Sequence, residues 1–294
     1  MKIAVAGASG LIGGALVPAL RADGHEVRQL VRRTPRTVDE HRWDPQHRRI
    51  DPTVLDDVDA VINLAGAPIR PRPWTRGYRH ELVNSRLDAT ATISQALAAT
   101  ATADRFRPRA LLNASGIGYY GDTGPAEIRE GAPAGEDFLA QLCVRWEAAT
   151  AAAADAGVRV VLLRTGLVLG PGAMLVKVLG LVFRLGLGGR LGSGRQYWPW
   201  IGLDDEIGAM RHLLTADVSG PVTNAEFTRV LGRVLHRPTP LPVPAFAVST
   251  GLGEFGRSSV IGGQQALPAK LLGSGYVFTD TDLEATLRKA LGRS

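Results

Sequence analysis

The sequence has very little cysteine and no clustered charge, and both absences exclude whole classes of protein. Cys143 is the one cysteine among 294 residues, so an intrachain disulfide and a cysteine zinc site are excluded. The six histidines lack the spacing of metal ligands, and we expect no metal site. The net charge is +6, but the basic residues are scattered along the chain. We therefore expect no nucleic-acid partner.

Long uninterrupted apolar runs are also missing. Glycines at positions 7, 10 and 13 break the apolar N-terminal stretch, which otherwise resembles a signal peptide. The most apolar later segment, residues 175–187, contains Lys177 and Arg184 and is shorter than the ~20 residues of a membrane span. We expect a soluble, cytoplasmic protein with no membrane partner.

The sequence pattern predicts an α/β protein. Short apolar runs alternate with helix-patterned segments in the first half, which is typical of a Rossmann-type, doubly wound parallel sheet. The predicted strands are Lys2–Ala6, Glu26–Val31, Ala60–Leu64, Ala110–Ala114 and Val158–Leu163. The predicted helices are Leu11–Ala22, Tyr78–Thr100, Asp137–Ala156, Thr223–Leu235 and Asp282–Leu291.

The regular alternation stops after Gly166, and this change predicts two domains. Residues 1–165 would form a dinucleotide-binding core, and residues 166–294 a smaller substrate lobe with segments that return to the core. The long helices at Tyr78–Thr100 and Asp137–Ala156 could also pair two subunits, so we expect a homodimer.

A glycine-rich turn directly follows the first predicted strand. It reads Gly7-Ala8-Ser9-Gly10-Leu11-Ile12-Gly13, and a predicted helix begins inside it. Glycines allow the backbone to approach a pyrophosphate, and the free amides of a helix N-terminus attract its charge. We expect Gly7, Ser9, Gly10, Leu11, Ile12 and Gly13 to contact a dinucleotide. The alternative is a glycine-rich turn without a ligand.

The end of the second strand indicates which dinucleotide is bound. An acidic residue there would bind the ribose 2′-hydroxyl of NAD, but this chain has Arg32 and Arg33. Two guanidinium groups can contact the 2′-phosphate of NADP, so NADP is the expected cofactor. The alternative is a pair of solvated surface arginines. Leu64, Ala65 and Gly66 follow the next paired strand, where the chain would pass close to the cofactor.

Further short motifs run along nearly the whole chain. They include Asn63–Gly66, Ser85-Arg86, Gly118–Gly121, Trp146-Glu147, Arg164–Gly170, Trp200-Ile201 and Leu267–Leu271. Together with the glycine turn, these residues resemble the short-chain dehydrogenase/reductase superfamily. Within its extended, sugar-nucleotide-epimerase-like branch, the sequence is similar to the epimerase family proteins. The resemblance implies an NADP-dependent oxidoreductase or epimerase with a small-molecule substrate, and cofactor contacts at Arg164 and Leu167.

The sequence departs from the superfamily at the expected catalytic residues. The superfamily pairs a Ser or Thr with a Tyr and a Lys four residues later, and the Lys lowers the pKa of the phenol. No tyrosine of this chain has a lysine four residues later, and the matching positions hold Phe138 and Leu142. The remaining candidates for proton transfer are Ser115, Tyr119 and Tyr120, although each could instead have a structural role. Cys143 is expected to be a buried residue rather than a nucleophile.

Two other features bear on the substrate side of the cleft. Arg195 could hold an anionic substrate group, or it could be an exposed surface arginine. The resemblance also implies a short additional strand between Gly220-Pro221 and Thr223-Asn224, and its absence here predicts an altered cleft wall.

Three classes of function stay open. The favoured one is an NADP-dependent oxidoreductase or epimerase with a rearranged proton donor, because the cofactor motif and the second lobe are both present. A non-catalytic NADP-binding sensor is the second, motivated by the missing Tyr–Lys pair. The third is a structural partner protein with a vestigial glycine turn.

Overall fold

A computed structural model describes residues 1–101, 110–185, 196–216, 220–223 and 262–292. The helices are α1 (Leu11–Ala22), α2 (Arg76–Ala101), α3 (Phe138–Ala148), α4 (Ala151–Asp155), α5 (Met174–Arg184), α6 (Leu203–Thr215), α7 (Ala269–Gly273) and α8 (Leu283–Ala290). The strands are β1 (Lys2–Ala6), β2 (Glu26–Val31), β3 (Glu40–Asp44), β4 (Arg49–Ile50), β5 (Ala60–Asn63), β6 (Ala110–Gly116), β7 (Glu127–Ile128), β8 (Arg159–Thr165), β9 (Leu167–Leu169), β10 (Trp200–Gly202), β11 (Gly220–Thr223) and β12 (Gln265–Ala266).

Eight strands form the central sheet in the order β11-β8-β6-β5-β1-β2-β3-β4. All neighbours are parallel except the edge pair β3 and β4. The chain goes from β1 to β2 on one side and later crosses to β5 on the other. The carboxyl ends of β1 and β5 therefore border the crevice in which such sheets bind ligands.

Apolar layers cover both faces of the sheet. On one face, Leu16 and Leu20 of α1 and Met210 of α6 pack against Ile3 and its neighbours. On the other face, residues of α2 and α4, among them Ile93, pack against Ala4 and its neighbours. Strands buried on both faces read as continuous apolar runs, as β1 does. The α/β doubly wound fold expected from the sequence is confirmed.

The predicted elements agree closely with the structure near the N-terminus. β1, α1 and β2 have the predicted bounds, whereas β6 and β8 extend two residues further at their carboxyl ends. The predicted helix 137–156 is divided into α3 and α4, and at the junction the hydroxyl of Thr150 donates to the carbonyl of Glu147. Among the helices that the structure describes, none is both long and apolar enough to cross a membrane.

The later part of the chain differs more from the predictions. The sequence predicts that a short strand is missing at this point, and this prediction is wrong. Gly220–Thr223 forms β11, which pairs with β8 at the edge of the sheet. Thr223 accordingly ends a strand instead of beginning a helix. The remainder of the predicted helix up to Leu235, and Arg195, lie outside the described residues. The division at residue 165 stays a prediction.

The two long helices bury their apolar side chains within this chain. Leu82 and Ile93 of α2 and Leu139 and Trp146 of α3 are all buried. A four-helix contact between subunits would therefore use the more polar faces of these helices. Dimer formation stays a prediction.

Candidate functional site

The glycine turn forms a tight cradle between β1 and α1. Gly7 has a φ of +82°, a conformation that residues with a side chain rarely adopt. A Cβ on Gly7 would lie 2.7 Å from the carbonyl carbon of Leu64. A Cβ on Gly13 would overlap the carbonyl oxygen of Gly7 and lie 2.8 Å from the Cα of Ala8. Backbone segments therefore meet here more closely than any larger residue allows.

The N-terminus of α1 presents uncapped amide groups to solvent. Gly10 precedes the helix, provides no side-chain cap, and no acidic residue lies in the first turn. Ser9, Gly10 and Leu11 are exposed, while Ile12 packs against the core. Unpaired N–H groups and the positive end of the helix dipole form an anion-binding site at this position.

A second turn, Leu64–Gly66, faces the first across the crevice. Asn63, buried at the end of β5, accepts the N–H of Ala65 and donates to the side chain of Asn113 over 2.7 Å. The amide of Asn63 also donates to the hydroxyl of Thr90. These hydrogen bonds fix the backbone of the second turn. Because β5 lies next to β1, the residues predicted at both turns lie at the same edge of the sheet.

The two arginines at the end of β2 differ in their surroundings. The guanidinium of Arg33 forms two hydrogen bonds to Glu40 of β3, with distances of 2.7 and 2.5 Å. Arg33 and Arg36 together lower the pKa of Glu40 to about 2. Arg32 is exposed and has no hydrogen bond or ion pair within the described residues. Arg32 is thus the guanidinium that is free for an added anion.

A buried ion pair connects the ends of β6 and β8. Glu147 of α3 accepts two hydrogen bonds from Arg164, from Nε over 2.8 Å and from Nη2 over 2.7 Å. The hydroxyl of Ser115, the register partner of Arg164, donates to the same carboxylate over 2.6 Å. Arg164 also donates to the hydroxyl of Tyr120 over 2.9 Å. Bidentate pairing raises the pKa of Arg164 despite its burial.

This arrangement uses the hydroxyls of two predicted catalytic residues as parts of a hydrogen-bond network. Ser115 and Tyr120 are buried, and burial raises the pKa of Tyr120 although Arg164 opposes the shift. Tyr119 differs, because it is half-buried and its hydroxyl has no hydrogen bond within the part of the chain that is described. Its ring lies on the Arg164 guanidinium, 3.3 Å from the ring centroid.

The positions that match the superfamily's Tyr and Lys lie in an apolar cluster. The ring of Phe138 packs against Trp74 with a centroid separation of 5.5 Å, and Leu142 is buried beside Leu82. Cys143 is buried in the same cluster, and burial raises the pKa of its thiol to about 12. Phe138 and Leu142 cannot transfer a proton, and the buried thiol of Cys143 is not a reactive thiolate.

Leu167 lies on a strand that joins the core to the later part of the chain. It begins β9, which pairs in parallel with β10 through Trp200. Its N–H donates to the carbonyl of Pro199 over 2.7 Å, and the side chain is half-buried. The backbone of Leu167 is thus fixed directly after the buried Arg164 network.

Sequence reasoning assigned no role to three buried charged residues at this edge of the sheet. Glu147 and Arg86 belong to recognised motifs, but nothing in the motifs shows that both are buried. Glu206 of α6 accepts the hydroxyl of Thr165 over 2.9 Å, and burial raises its pKa to about 7. Their burial could have been predicted from one signal: each is a charged residue at a position where the helical pattern expects an apolar one. No group of three or more His, Cys, Asp or Glu in the described ranges could hold a metal ion.

Comparisons with known proteins agree with this architecture. Residues 3–225 match the NAD dependent epimerase/dehydratase family, and residues 243–290 match a domain of unknown function, DUF1731. An epimerase family protein of Mycobacterium bovis is 44% identical over 299 residues, covering 99% of this chain and 96% of the relative. The human epimerase family protein SDR39U1 is 36% identical over 301 residues, covering 98% of this chain and 99% of the relative.

Solved structures show the same relationship. The crystal structure of human SDR39U1 isoform 2 with NADPH has a TM-score of 0.84 and 32% identity, and 100% of each chain is covered. A nucleoside-diphosphate sugar epimerase from Corynebacterium glutamicum has a TM-score of 0.80 and 30% identity, covering 99% of this chain and 58% of that chain. The resemblance to the epimerase family proteins is confirmed. Because a family match covers most of the chain and relatives align along nearly all of it, the protein belongs to the NAD dependent epimerase/dehydratase family.

Proposed function

We propose that the protein binds NADP(H) at the carboxyl ends of β1 and β5 and acts on a small molecule as an oxidoreductase or epimerase. The observation that carries the proposal is the cradle of Gly7 and Gly13 against the uncapped N-terminus of α1. Gly7 and Gly13 allow the tight turn and the close contact of helix and strand, and the exposed Gly10 between them allows the backbone to approach a pyrophosphate. The residues present therefore fit a dinucleotide, and a human relative has been crystallised with NADPH.

Arg32 is the proposed recognition residue for the 2′-phosphate. Its guanidinium is exposed at the end of β2 and has no partner among the described residues. Arg33 is committed to Glu40 by two hydrogen bonds, so we assign it the role of ordering the loop between β2 and β3. A negative carboxylate at the position of Arg32 would instead repel the phosphate.

The proposed chemistry is hydride transfer without a lysine-tuned phenol. When bound, the nicotinamide accepts or donates the hydride. A carbonyl or alcohol substrate also needs a proton donor or acceptor, and we assign this role to Tyr119. Its hydroxyl is the one among the three candidates that forms no hydrogen bond within the described residues. Ser115 and Tyr120 would act indirectly, because their hydroxyls hold the Glu147 carboxylate and the Arg164 guanidinium in place.

Arg164 would position Tyr119 and balance charge that develops on its oxygen. The guanidinium lies on the face of the ring, and Glu147 fixes its orientation with two hydrogen bonds. Arg164, at the end of β8, would thus be the cation next to the proposed proton donor, with its charge balanced by Glu147.

A turnover screen tests this proposal. The purified chain is incubated with NADPH or NADP and with sugar nucleotides, ketones and enones, while the reduced cofactor is followed by absorbance. Tyr119→Phe should lower kcat by about 100-fold or more, the usual contribution of a general acid or base. Tyr120→Phe is the matched control, because it removes a neighbouring hydroxyl that is already bonded to Arg164. Equal losses in both variants would contradict the assignment.

A non-catalytic NADP(H) sensor is the second candidate. The observation that favours it is the packing of Phe138 and Leu142 in an apolar cluster, where the superfamily has its base. Firm NADPH binding without turnover on any substrate class would place this function ahead of the enzyme.

A further inference from the structure

Four arginines lie close together in the segment that connects β5 to α2. This arginine segment, residues 67–79, runs from the end of the second turn into the first turn of α2, and its arginines are Arg70, Arg72, Arg76 and Arg79. The first three are exposed, and their guanidinium groups have no hydrogen bond or ion pair within the described residues. Residues 60–80 contain no aspartate or glutamate that could balance these charges.

Other exposed arginines of the described surface do have acidic partners. Arg21, Arg48 and Arg211 each form an ion pair with an aspartate of another element. In the arginine segment, by contrast, cations that are close in sequence repel one another without a carboxylate between them. A concentration of positive charge of this kind attracts anions and is relieved when one binds.

Buried aromatic residues fix the backbone of the arginine segment. Trp74 and Tyr78 are both buried. The hydroxyl of Tyr78 donates to the carbonyl of Pro68 over 2.5 Å and accepts the N–H of Arg70 over 3.1 Å. The indole N–H of Trp74 donates to the carbonyl of Arg70 over 3.3 Å. The segment is therefore ordered before a ligand binds, which lowers the entropy cost of binding.

Arg72 is also oriented through its side chain. Its guanidinium carbon lies 3.8 Å from the centroid of the Tyr78 ring, in a cation–π contact. A guanidinium that stacks on a ring keeps its N–H groups in its own plane, where they can still donate. A carboxylate or a phosphate can accept two of these N–H groups side by side. Arg72 is thus a preformed donor for an anion.

The arginine segment lies beside the proposed proton donor. Trp74 of the segment and Tyr119 contact the same apolar cluster. The guanidinium carbon of Arg79 lies 5.3 Å from the centroid of the Phe138 ring, at the position that matches the superfamily's tyrosine. The segment follows β5, whereas Arg32 follows β2 on the other side of β1. Its charge is therefore near the proposed place of the substrate and away from that of the 2′-phosphate.

We infer that Arg72, with the neighbouring charges of Arg70 and Arg76, binds an anionic group of the substrate, either a carboxylate or a phosphate. This inference rests on the proposed function, because it takes Tyr119 as the site of proton transfer. The substrate would direct its carbonyl or alcohol toward Tyr119 and its negative charge toward the arginine segment. Uncharged ketones and alcohols would then be poor ligands.

Titration calorimetry with three aldehydes tests the inference on protein saturated with NADP. 4-Formylbenzoate carries a carboxylate, 4-formylphenyl phosphate carries a phosphate, and methyl 4-formylbenzoate carries neither. The oxidised cofactor has no hydride to transfer to an aldehyde, so binding is measured without turnover. At least one anion should bind about tenfold more tightly than the ester, as expected for a charge-assisted contact. The anion with the larger preference identifies the group.

Variants of Arg72 assign the preference to this side chain. Arg72→Gln should remove most of the preference for the anion, while the affinities for the ester and NADP and the Tm stay at wild-type values. Arg72→Lys keeps the charge and should retain part of the preference. Arg145→Gln is the matched control and should bind all three aldehydes like wild type, because Arg145 is an exposed arginine of α3 that likewise has no ion pair among the described residues.

Two results would overturn the inference. One is wild-type protein that binds the three aldehydes equally or binds neither anion; the other is a preference for the anion that Arg72→Gln leaves intact. Absence of NADP binding to wild type would instead overturn the proposed function, so the two failures are distinguishable.

Discussion

Replacing Glu206 by glutamine should make the protein more stable at alkaline pH and change little at acidic pH. The carboxyl group is buried in the first turn of α6, and its described hydrogen bond comes from the hydroxyl of Thr165. Burial penalises the charged form and raises the pKa to about 7 from an ordinary value of 4.5. Glutamine keeps the oxygen that accepts the Thr165 hydroxyl and resembles the protonated acid in shape.

The sign and size of the effect follow from proton binding. Between pH 4.5 and about 7, the unfolded chain has lost the Glu206 proton while the folded chain still holds it. The unfolding free energy of wild type therefore has its full value below this pH window and falls as the pH rises through it. At about 1.4 kcal/mol per pH unit, the loss is roughly 3 kcal/mol by pH 8. The variant should lack this loss.

Chemical denaturation at pH values from 4.5 to 8.5 measures the difference in unfolding free energy between variant and wild type. The difference should grow by about 3 kcal/mol toward high pH. Glu127→Gln, at an exposed carboxylate, is the control for titration of other groups and should give a flat difference. A flat difference for Glu206→Gln as well would refute the reasoning.

Three further outcomes follow from the described contacts. Gly13→Ala should abolish NADPH binding in calorimetry because its Cβ would overlap a backbone carbonyl, whereas Gly14→Ala, with its nearest atom 3.8 Å away, should bind normally. Glu147→Gln should lower the unfolding free energy by about 3–5 kcal/mol in urea denaturation, because it leaves Arg164 buried with reduced charge compensation. Native Cys143 should resist iodoacetamide at pH 8, as read by mass spectrometry, and become modified in denaturant, because its pKa is about 12.

Local patterns were sufficient where neighbouring residues determine the structure. β1, α1 and β2 follow from apolar periodicity and from a glycine turn that permits one backbone path. β3 was missed because Trp43 is its one buried residue, and the others are polar side chains at a sheet edge. A strand with so little apolar surface has no periodic signal.

The proposed cofactor-binding part of the candidate site was predictable from the sequence, and the part that would carry the chemistry was less so. The residues of both turns could be named because a motif fixes their backbone. The network of Ser115, Glu147 and Arg164 depends on the register of β6 with β8 and on α3 lying across them. The pairing of Arg33 with Glu40 likewise needs β3 beside β2. Such contacts join distant residues, and spacing along the chain does not specify them.

Isothermal titration of wild type, Arg32→Ala and Arg33→Ala with NADPH and NADH is the most direct test of the proposed cofactor site. Wild type should prefer NADPH, and Arg32→Ala should lose most of that preference, about 1–3 kcal/mol for a charge-assisted contact. Arg33→Ala should keep it, because Glu40 already holds that guanidinium. Equal affinities of wild type for NADPH and NADH would contradict the account.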